Sequence, residues 1–325
     1  MLNLPIRPRR NRSTPAIRSL VQETRLHPGH FVQPLFITEG SVDEEILSMP
    51  GCRRWSLESL VSEAGRVVDA GVPAVVLFPR IADALKTRKA EEAYTPDGLV
   101  PRAIRALKAR WPSLCVITDI ALDPYNSDGH DGLVSDAGII LNDETVSVLC
   151  RQAISHAQAG ADIVSPSDMM DGRVGAIRAA LDSHGLTGTG ILSYTAKYAS
   201  ACYGPFRGAL DSAPRAGDKK TYQMDPGNSR EALREAALDA AEGADMLMVK
   251  PAGFYLDIIS ALKQQTHLPV AAYQVSGEYL MIKSAAATGW LDERRLVLES
   301  LTSIRRAGAD IILTYFAVEA AGWIA

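Results

Sequence analysis

From Phe31 onward, short unbroken apolar runs alternate with longer stretches in which apolar residues recur every three or four positions. The short runs read as strands buried on both faces, and the amphipathic stretches read as helices packed on one side. The pattern predicts strands at 31–38, 74–79, 114–122, 162–167, 190–198, 246–250, 269–275 and 311–316. Helices are predicted at 57–70, 99–110, 142–159, 171–183, 229–242 and 255–265, with more helix filling 278–307 and a short closing helix from Val318. Asn142 or Asp143 fits an N-cap, and the acid-rich turn from Glu231 to Glu235 suits the positive end of its helix.

Four helix-to-strand junctions look alike: Ala70-Gly71-Val72-Pro73, Ala159-Gly160-Ala161-Asp162, Glu242-Gly243-Ala244-Asp245 and Ala307-Gly308-Ala309-Asp310. Each glycine fits a left-handed C-cap that ends a helix before the chain re-enters the sheet. Eight strands with this junction predict an α/β fold, a (β/α)8 TIM barrel spanning 31–325. A doubly wound open sheet is the alternative. Its nucleotide-binding versions lose support because no GxGxxG follows the first strand and no GxxxxGK[ST] occurs. Residues 1–30 carry Arg7, Arg9, Arg10, Arg12 and Arg18 with little periodicity, and read as an extended N-terminal arm with one helical turn near 16–24. The arginines suit either a phosphate patch or a neighbouring subunit. The second is favoured, since an arm so poor in apolar residues needs a surface to lie on.

Chemistry concentrates at the strand exits. The run from Ala244 to Val249 ends on Lys250, and Pro251 then stops the strand because it has no N–H for the ladder. The run from Gly190 ends the same way on Lys197. Other exits carry Asp119 and Asp123, Ser165, Ser167 and Asp168, Tyr273 to Ser276, and Thr314-Tyr315. In a barrel all of these converge on the face where such folds keep their active sites. Two lysines in one dry pocket lower each other's pKa, and burial lowers both. A neutral amine attacks a ketone to give an imine, an electron sink for carbon–carbon bond formation. One such lysine suits a class I aldolase, and two suggest a reaction that holds two carbonyl substrates covalently. A non-enzymatic binding barrel would leave this polarity without a use.

Composition changes the picture little. A net charge of −4 argues against a general nucleic-acid binder, and no apolar run nears the ~20 residues that span a bilayer. The N-terminus has no apolar core of a secretory signal. The four cysteines Cys52, Cys115, Cys150 and Cys202 show no paired spacing, which suits a reducing compartment. A cytoplasmic location is therefore expected.

Longer motifs identify a family. Pro34-Leu35-Phe36, Ser48-Met49-Pro50-Gly51, Ser165-Pro166-Ser167-Asp168-Met169-Met170-Asp171-Gly172-Arg173, Ala196-Lys197-Tyr198-Ala199-Ser200, Tyr203-Gly204-Pro205-Phe206-Arg207, Met248-Val249-Lys250-Pro251 and Val275-Ser276-Gly277-Glu278-Tyr279 span almost the whole chain. With them it closely resembles the porphobilinogen synthases (5-aminolevulinate dehydratases). The resemblance implies condensation of two 5-aminolevulinate molecules to porphobilinogen with loss of two waters, a step of tetrapyrrole synthesis. It implies a Schiff base on Lys250 with the molecule supplying the propionate side, and one on Lys197 with the acetate-side molecule. Asp119 and Ser167 would assist proton transfer and orientation. The segment from Tyr198 to Tyr222 matches the lid, within which Arg207 and Lys219 would bind a substrate carboxylate. Ser276 and Tyr315 would hold the other carboxylate, with Phe206, Gln223 and Tyr273 as further substrate contacts.

The resemblance also bears on metals. Zinc-dependent members carry three cysteines in the loop after the third strand, where this chain has Ala121, Asp123 and Asp131. Hard carboxylates without thiolates favour Mg2+ or no tightly held metal over catalytic zinc, so Asp123 and Asp131 are candidates for a weak active-site ion. Glu235 matches the ligand of a second, allosteric Mg2+. The arm implies a homo-octamer, with a hexamer as the alternative assembly.

Overall fold

In the computed structural model, which describes residues 4–324, the eight predicted strands close into one parallel barrel. They are β1 (Phe31–Thr38), β2 (Ala74–Arg80), β3 (Cys115–Ile120), β4 (Ile163–Pro166), β5 (Gly190–Lys197), β6 (Met246–Lys250), β7 (Val270–Gln274) and β8 (Ile311–Thr314). Each pairs with the next in chain order, and β8 pairs back onto β1 through Phe31–Ile312 and Val32–Leu313. Several apolar runs outlast their strands. Ala121 and Leu122 after β3, and Tyr315 and Phe316 after β8, stay buried in the barrel mouth although they have left the ladder.

The helices ring the barrel, each burying one face, as Leu60, Ala64 and Val67 do on the helix Leu57–Asp69. The four repeated junctions have one geometry. Gly71, Gly160, Gly243 and Gly308 all have positive φ, from +75° to +124°. In each, the N–H after the glycine bonds back to the helix carbonyl five residues earlier, as Val72 does to Val67 and Ala244 to Asp239. That closes the helix in a Schellman-type cap. The aspartates that come next have their own task. Asp162, Asp245 and Asp310 accept the first free strand N–H of Val116, Ile191 and Val270 at 2.7, 2.7 and 3.0 Å. They satisfy donors at the bottom of the barrel that have no ladder partner.

The expected side-chain cap at Asn142 or Asp143 is not what forms. Leu141 occupies the N-cap of the helix Asn142–Gln158 and no side chain caps it. The Asn142 amide instead exchanges hydrogen bonds with the backbone of Asp171, at 2.8 and 3.2 Å. Periodicity also missed two short antiparallel pairs, Glu44–Glu45 with Arg53–Trp55 and Leu133–Val134 with Ile140–Leu141, and the helix Gly204–Leu210. All are too short for a period to show.

The segment expected to form the arm is exposed. From Leu4 to Leu20 it buries no side chain, and it forms a 3-10 turn at Pro8–Arg12 and a helix at Pro15–Leu20 capped by Thr14. Residues 1–3 of the expected arm lie outside the described residues.

Candidate active site

The two lysines meet because β5 and β6 are out of simple register. Leu247 lies beside Ser193, yet Val249 lies beside Ala196 and Lys250 beside Lys197. β5 therefore takes up one extra residue between Ser193 and Ala196. Without it Lys250 would lie beside Ala196 and Lys197 would stand one rung further on. A bulge of this kind re-aims side chains at a barrel rim. Both lysines are buried, and both border a space of about 30 Å3 together with Asp119, Asp123, Asp131, Ser167, Arg207, Lys219 and Gln223.

Lys250 sits in an aromatic box. Its Nζ lies 4.8 Å from the Tyr273 ring, 5.1 Å from those of Tyr194 and Phe206, and 5.2 Å from that of Tyr203. Burial and then the Lys197 charge push its pKa down to about 7, against the pull of Asp119, Asp131 and Asp123. The amine is thus available as a nucleophile near neutrality. Lys197 is held differently. Its Nζ donates to the Ser167 carbonyl and lies 3.7 Å from Asp131 Oδ1.

Three buried carboxylates complete the polar wall. Burial pushes Asp119 up to about 7, with Asp123 adding to it and the two lysines opposing. A group poised there exchanges protons at little cost. Burial also raises Asp131, but Lys197 and Lys219 outweigh it and hold the carboxyl well below the usual range. Asp123 is raised, by burial first, although Lys219 opposes. The Lys219 ammonium lies 3.3 Å from both Asp123 Oδ2 and Asp131 Oδ2. Burial opposes its charge, and the two carboxylates more than restore it. A divalent ion between Asp123 and Asp131 would have to displace that ammonium, so this donor set does not fit an active-site metal. In this structure the Lys219 ammonium takes the place between the two aspartates where a weak ion was expected.

The segment 198–222 lies over the cavity as a lid. Arg54 donates to the Ala209 and Gly208 carbonyls at 2.6 and 3.0 Å, Arg80 bonds Asp211 at 3.0 Å, and Ser48 holds the Pro205 carbonyl at 3.0 Å. At its far end His130 Nε2 faces the Ala216 carbonyl at 3.0 Å and Nδ1 faces the Tyr222 hydroxyl at 3.1 Å. A carbonyl only accepts, so Nε2 carries the proton, and in the neutral ring Nδ1 accepts from Tyr222. A space of about 30 Å3 is far below the ~300 Å3 of a small-molecule site, so the segment 198–222 as placed here closes the cavity.

Of the expected substrate contacts, Arg207, Lys219, Phe206 and Gln223 line the cavity, and Tyr273 walls Lys250. Ser276 and Tyr315 stand behind it. Ser276 accepts from Phe206 N at 3.0 Å and donates to the Cys202 carbonyl at 3.3 Å, so its hydroxyl pins the lid. Tyr315 shares a 2.9 Å bond with Tyr273. Sequence reasoning missed Tyr194, Tyr203 and His130. Strict alternation puts Tyr194 and Lys197 on opposite faces of β5, and only the bulge lets both face inward.

Glu235 lies away from this cavity, on the helix Arg230–Ala241, in a cleft of about 390 Å3 shared with Asp171, Arg173, Arg234, Asp239 and Glu242. Burial raises its pKa, and Asp239, Asp171 and Glu231 add to that against Arg173. Such crowding of carboxylates is relieved by a cation, and hydrated Mg2+ binds through one carboxylate plus waters.

A family model described as delta-aminolevulinic acid dehydratase matches residues 5–323. A chloroplastic delta-aminolevulinic acid dehydratase of Physcomitrium patens is 62% identical over 325 residues, covering 99% of this chain and 75% of that one. A chloroplastic delta-aminolevulinic acid dehydratase 1 of Arabidopsis thaliana is 60% identical over 322 residues, covering 98% and 75%. The fold superposes with a TM-score of 0.98 on a crystal structure of delta-aminolevulinic acid dehydratase (porphobilinogen synthase) from Toxoplasma gondii ME49 in complex with the reaction product porphobilinogen. That chain is 55% identical, and 99% of this chain and 92% of that one are covered. The chloroplastic names of these relatives overturn the expected cytoplasmic location. Free thiols report a reducing compartment, which does not by itself single out the cytoplasm.

Proposed function

The chain belongs to the delta-aminolevulinic acid dehydratase family, and from that premise we propose how its residues divide the work. The enzyme condenses two molecules of 5-aminolevulinate to porphobilinogen with loss of two waters. The observation that carries the assignment of roles is the side-by-side placement of Lys197 and Lys250 at the rim of one closed cavity. The neutral Lys250 amine attacks the ketone of one substrate and the ketone oxygen leaves as water. Lys197 does the same with the second substrate. Two imines account for the two waters lost, and both amines return when the product's own carbon–carbon and carbon–nitrogen bonds replace them. Asp119, pushed up to about 7, takes and returns the protons. Ser167 orients Lys197 through its carbonyl. Arg207 and Lys219 supply positive charge for a substrate carboxylate once the lid has shut water out. Ser276, which here accepts from Phe206 N, and Tyr315, which here bonds Tyr273, are the hydroxyls that hold the other carboxylate.

Enzymes of this family use metal ions. We place one at Glu235, where Mg2+ would neutralise the carboxylate cluster and take no part in a reaction step. The arm is the contact to a second copy. Ile6 and Leu20 stand 79% and 83% exposed on it, apolar area that a second copy would cover. The large cavity outside the lid carries Asp128, Asp171, Asp218, Asp225, Glu231 and Glu235 and suits an arginine-rich segment. A homo-octamer assembled through these arms is the reading we favour, with a hexamer as the other outcome of a sizing experiment. Glu235→Ala is expected to abolish activation by added Mg2+ and to shift the assembly to smaller forms, both read by activity assay and analytical ultracentrifugation. An unchanged Mg2+ curve and an unchanged distribution would remove Glu235 from that role.

The test of the chemistry is borohydride trapping with 5-aminolevulinate, followed by peptide mapping, with and without EDTA. Adducts on Lys250 or on both lysines are expected, and their persistence in EDTA would show that imine formation needs no divalent metal. The absence of an adduct on either lysine in Mg2+-replete buffer would overturn the mechanism.

A further inference from the structure

Glu278 is a buried carboxylate with no part in the imine chemistry, and none of its hydrogen bonds goes to a side chain. It lies in the first turn of the helix Ser276–Ala287 and is 7% exposed. Its Oε1 accepts from Gly253 N at 2.6 Å, and its Oε2 accepts from Val275 N at 2.8 Å and Ala252 N at 3.4 Å. Ala252 and Gly253 come directly after Lys250-Pro251 at the exit of β6. Val275 directly precedes Ser276. One carboxylate therefore ties the segment that positions Lys250 to the helix end that carries Ser276.

The surrounding contacts agree. Tyr203, in the lid root, donates to the Lys250 carbonyl at 3.2 Å, so the lid fixes Lys250 on one side while Glu278 fixes Ala252 and Gly253 on the other. A Cβ on Gly277 would meet Cys202 Cα at 2.7 Å, and Ser276 bonds Cys202 and Phe206. A Cβ on Gly253 would meet Glu278 Oε1 at 2.5 Å, so the carboxylate reaches its loop only because that residue is glycine. Burial pushes Glu278 up to about 7 while the three N–H groups pull it down, with no cation among the causes. A carboxylate kept without a counter-ion at that cost, on a helix where a neutral cap would do, points to a need for two acceptor oxygens at once.

We propose that Glu278 is a positioning residue, which locks the Lys250 loop to the Ser276 helix end so that imine formation and carboxylate binding act on the same substrate molecule. The proposal rests on the imine role of Lys250 and the carboxylate-binding role of Ser276. The lock works through backbone N–H groups, so it fixes where the reacting amine stands without touching substrate.

The experiment measures borohydride trapping of 5-aminolevulinate at each lysine in Glu278→Gln, Glu278→Ala and Gly253→Ala, beside thermal unfolding. A carboxamide offers one acceptor oxygen to three N–H groups, so Glu278→Gln breaks part of the lock and Glu278→Ala all of it. Gly253→Ala pushes the carboxylate away and leaves Glu278 in place, which serves if the Glu278 variants fold poorly. A misplacement of about 1 Å at a reacting group costs up to roughly 100-fold. The expected result is a fall of about 10- to 100-fold in the trapping rate at Lys250, largest in Glu278→Ala, accompanied by a raised KM in protein that still melts cooperatively. Trapping at Lys250 within about twofold of wild type in folded Glu278→Gln and Gly253→Ala protein would overturn the proposal. So would a loss that merely tracks the fraction unfolded. If wild-type protein gives no Lys250 adduct, the functional reading fails instead.

Discussion

Lys250→Met is expected to remove turnover, by on the order of 10^5-fold in kcat, while leaving the barrel folded. Methionine matches the lysine stem in length and suits the ring of Tyr194, Tyr203, Phe206 and Tyr273 around it. What disappears is the one amine held at about 7 by burial and by Lys197. The same shift carries a stability signature. The folded pKa is depressed from 10.5 to about 7, so between those values the unfolded chain binds a proton that the folded chain does not. Wild-type stability therefore rises with pH through that window, and the cost of burying Lys250 is complete below about pH 7. Lys250→Met should melt higher than wild type at pH 7, and the gap should close as pH approaches 10.5. Activity of the variant within about 100-fold of wild type would show that another amine performs the attack. A melting gap independent of pH would show that Lys250 is not held neutral.

Lys197→Met carries the second largest effect, a loss of about 10^3-fold or more in turnover, with Lys250 still open to trapping. The wild-type rate of trapping at Lys250 should trace a rising curve with its midpoint near pH 7. Lys197 is the largest cause of that low value after burial, and the three aspartates pull the other way. Removing its charge leaves the aspartates in place and should move the midpoint to higher pH. Trapping rates at Lys250 measured across pH in both proteins decide the matter. An unmoved midpoint would mean that the two amines do not sense one another. Turnover close to wild type would mean that Lys197 holds no substrate.

Much of this enzyme is legible in the order of its residues. Buried parallel strands read as unbroken apolar runs, and a helix that hands over to a strand through a Schellman cap needs glycine at one place. The sequence Gly-Ala-Asp repeats because the same turn, and the same strand N–H waiting for an acceptor, recur around the barrel. The lysines at two strand ends and the carboxylates between them are visible for the same reason, since the fold sends all strand exits to one mouth. Less legible was the partner of Asp123 and Asp131, the Lys219 ammonium that lies between them. Lys219 lies 88 residues or more along the chain from either, and a charge pair across that distance leaves no periodic trace.

The sequence alone determined the barrel, its eight strands, the two amines and the face on which they emerge, because these depend on local patterns of burial and turning. Only the tertiary structure decided that the amines stand side by side. The extra residue between Ser193 and Ala196 shifts β5 by one against β6, bringing Lys197 beside Lys250 and turning Tyr194 toward the same amine. Strand residues alternate faces with a period of two, so a slip of one changes which side chains meet. That slip is a property of two strands pairing, and neither strand carries it by itself.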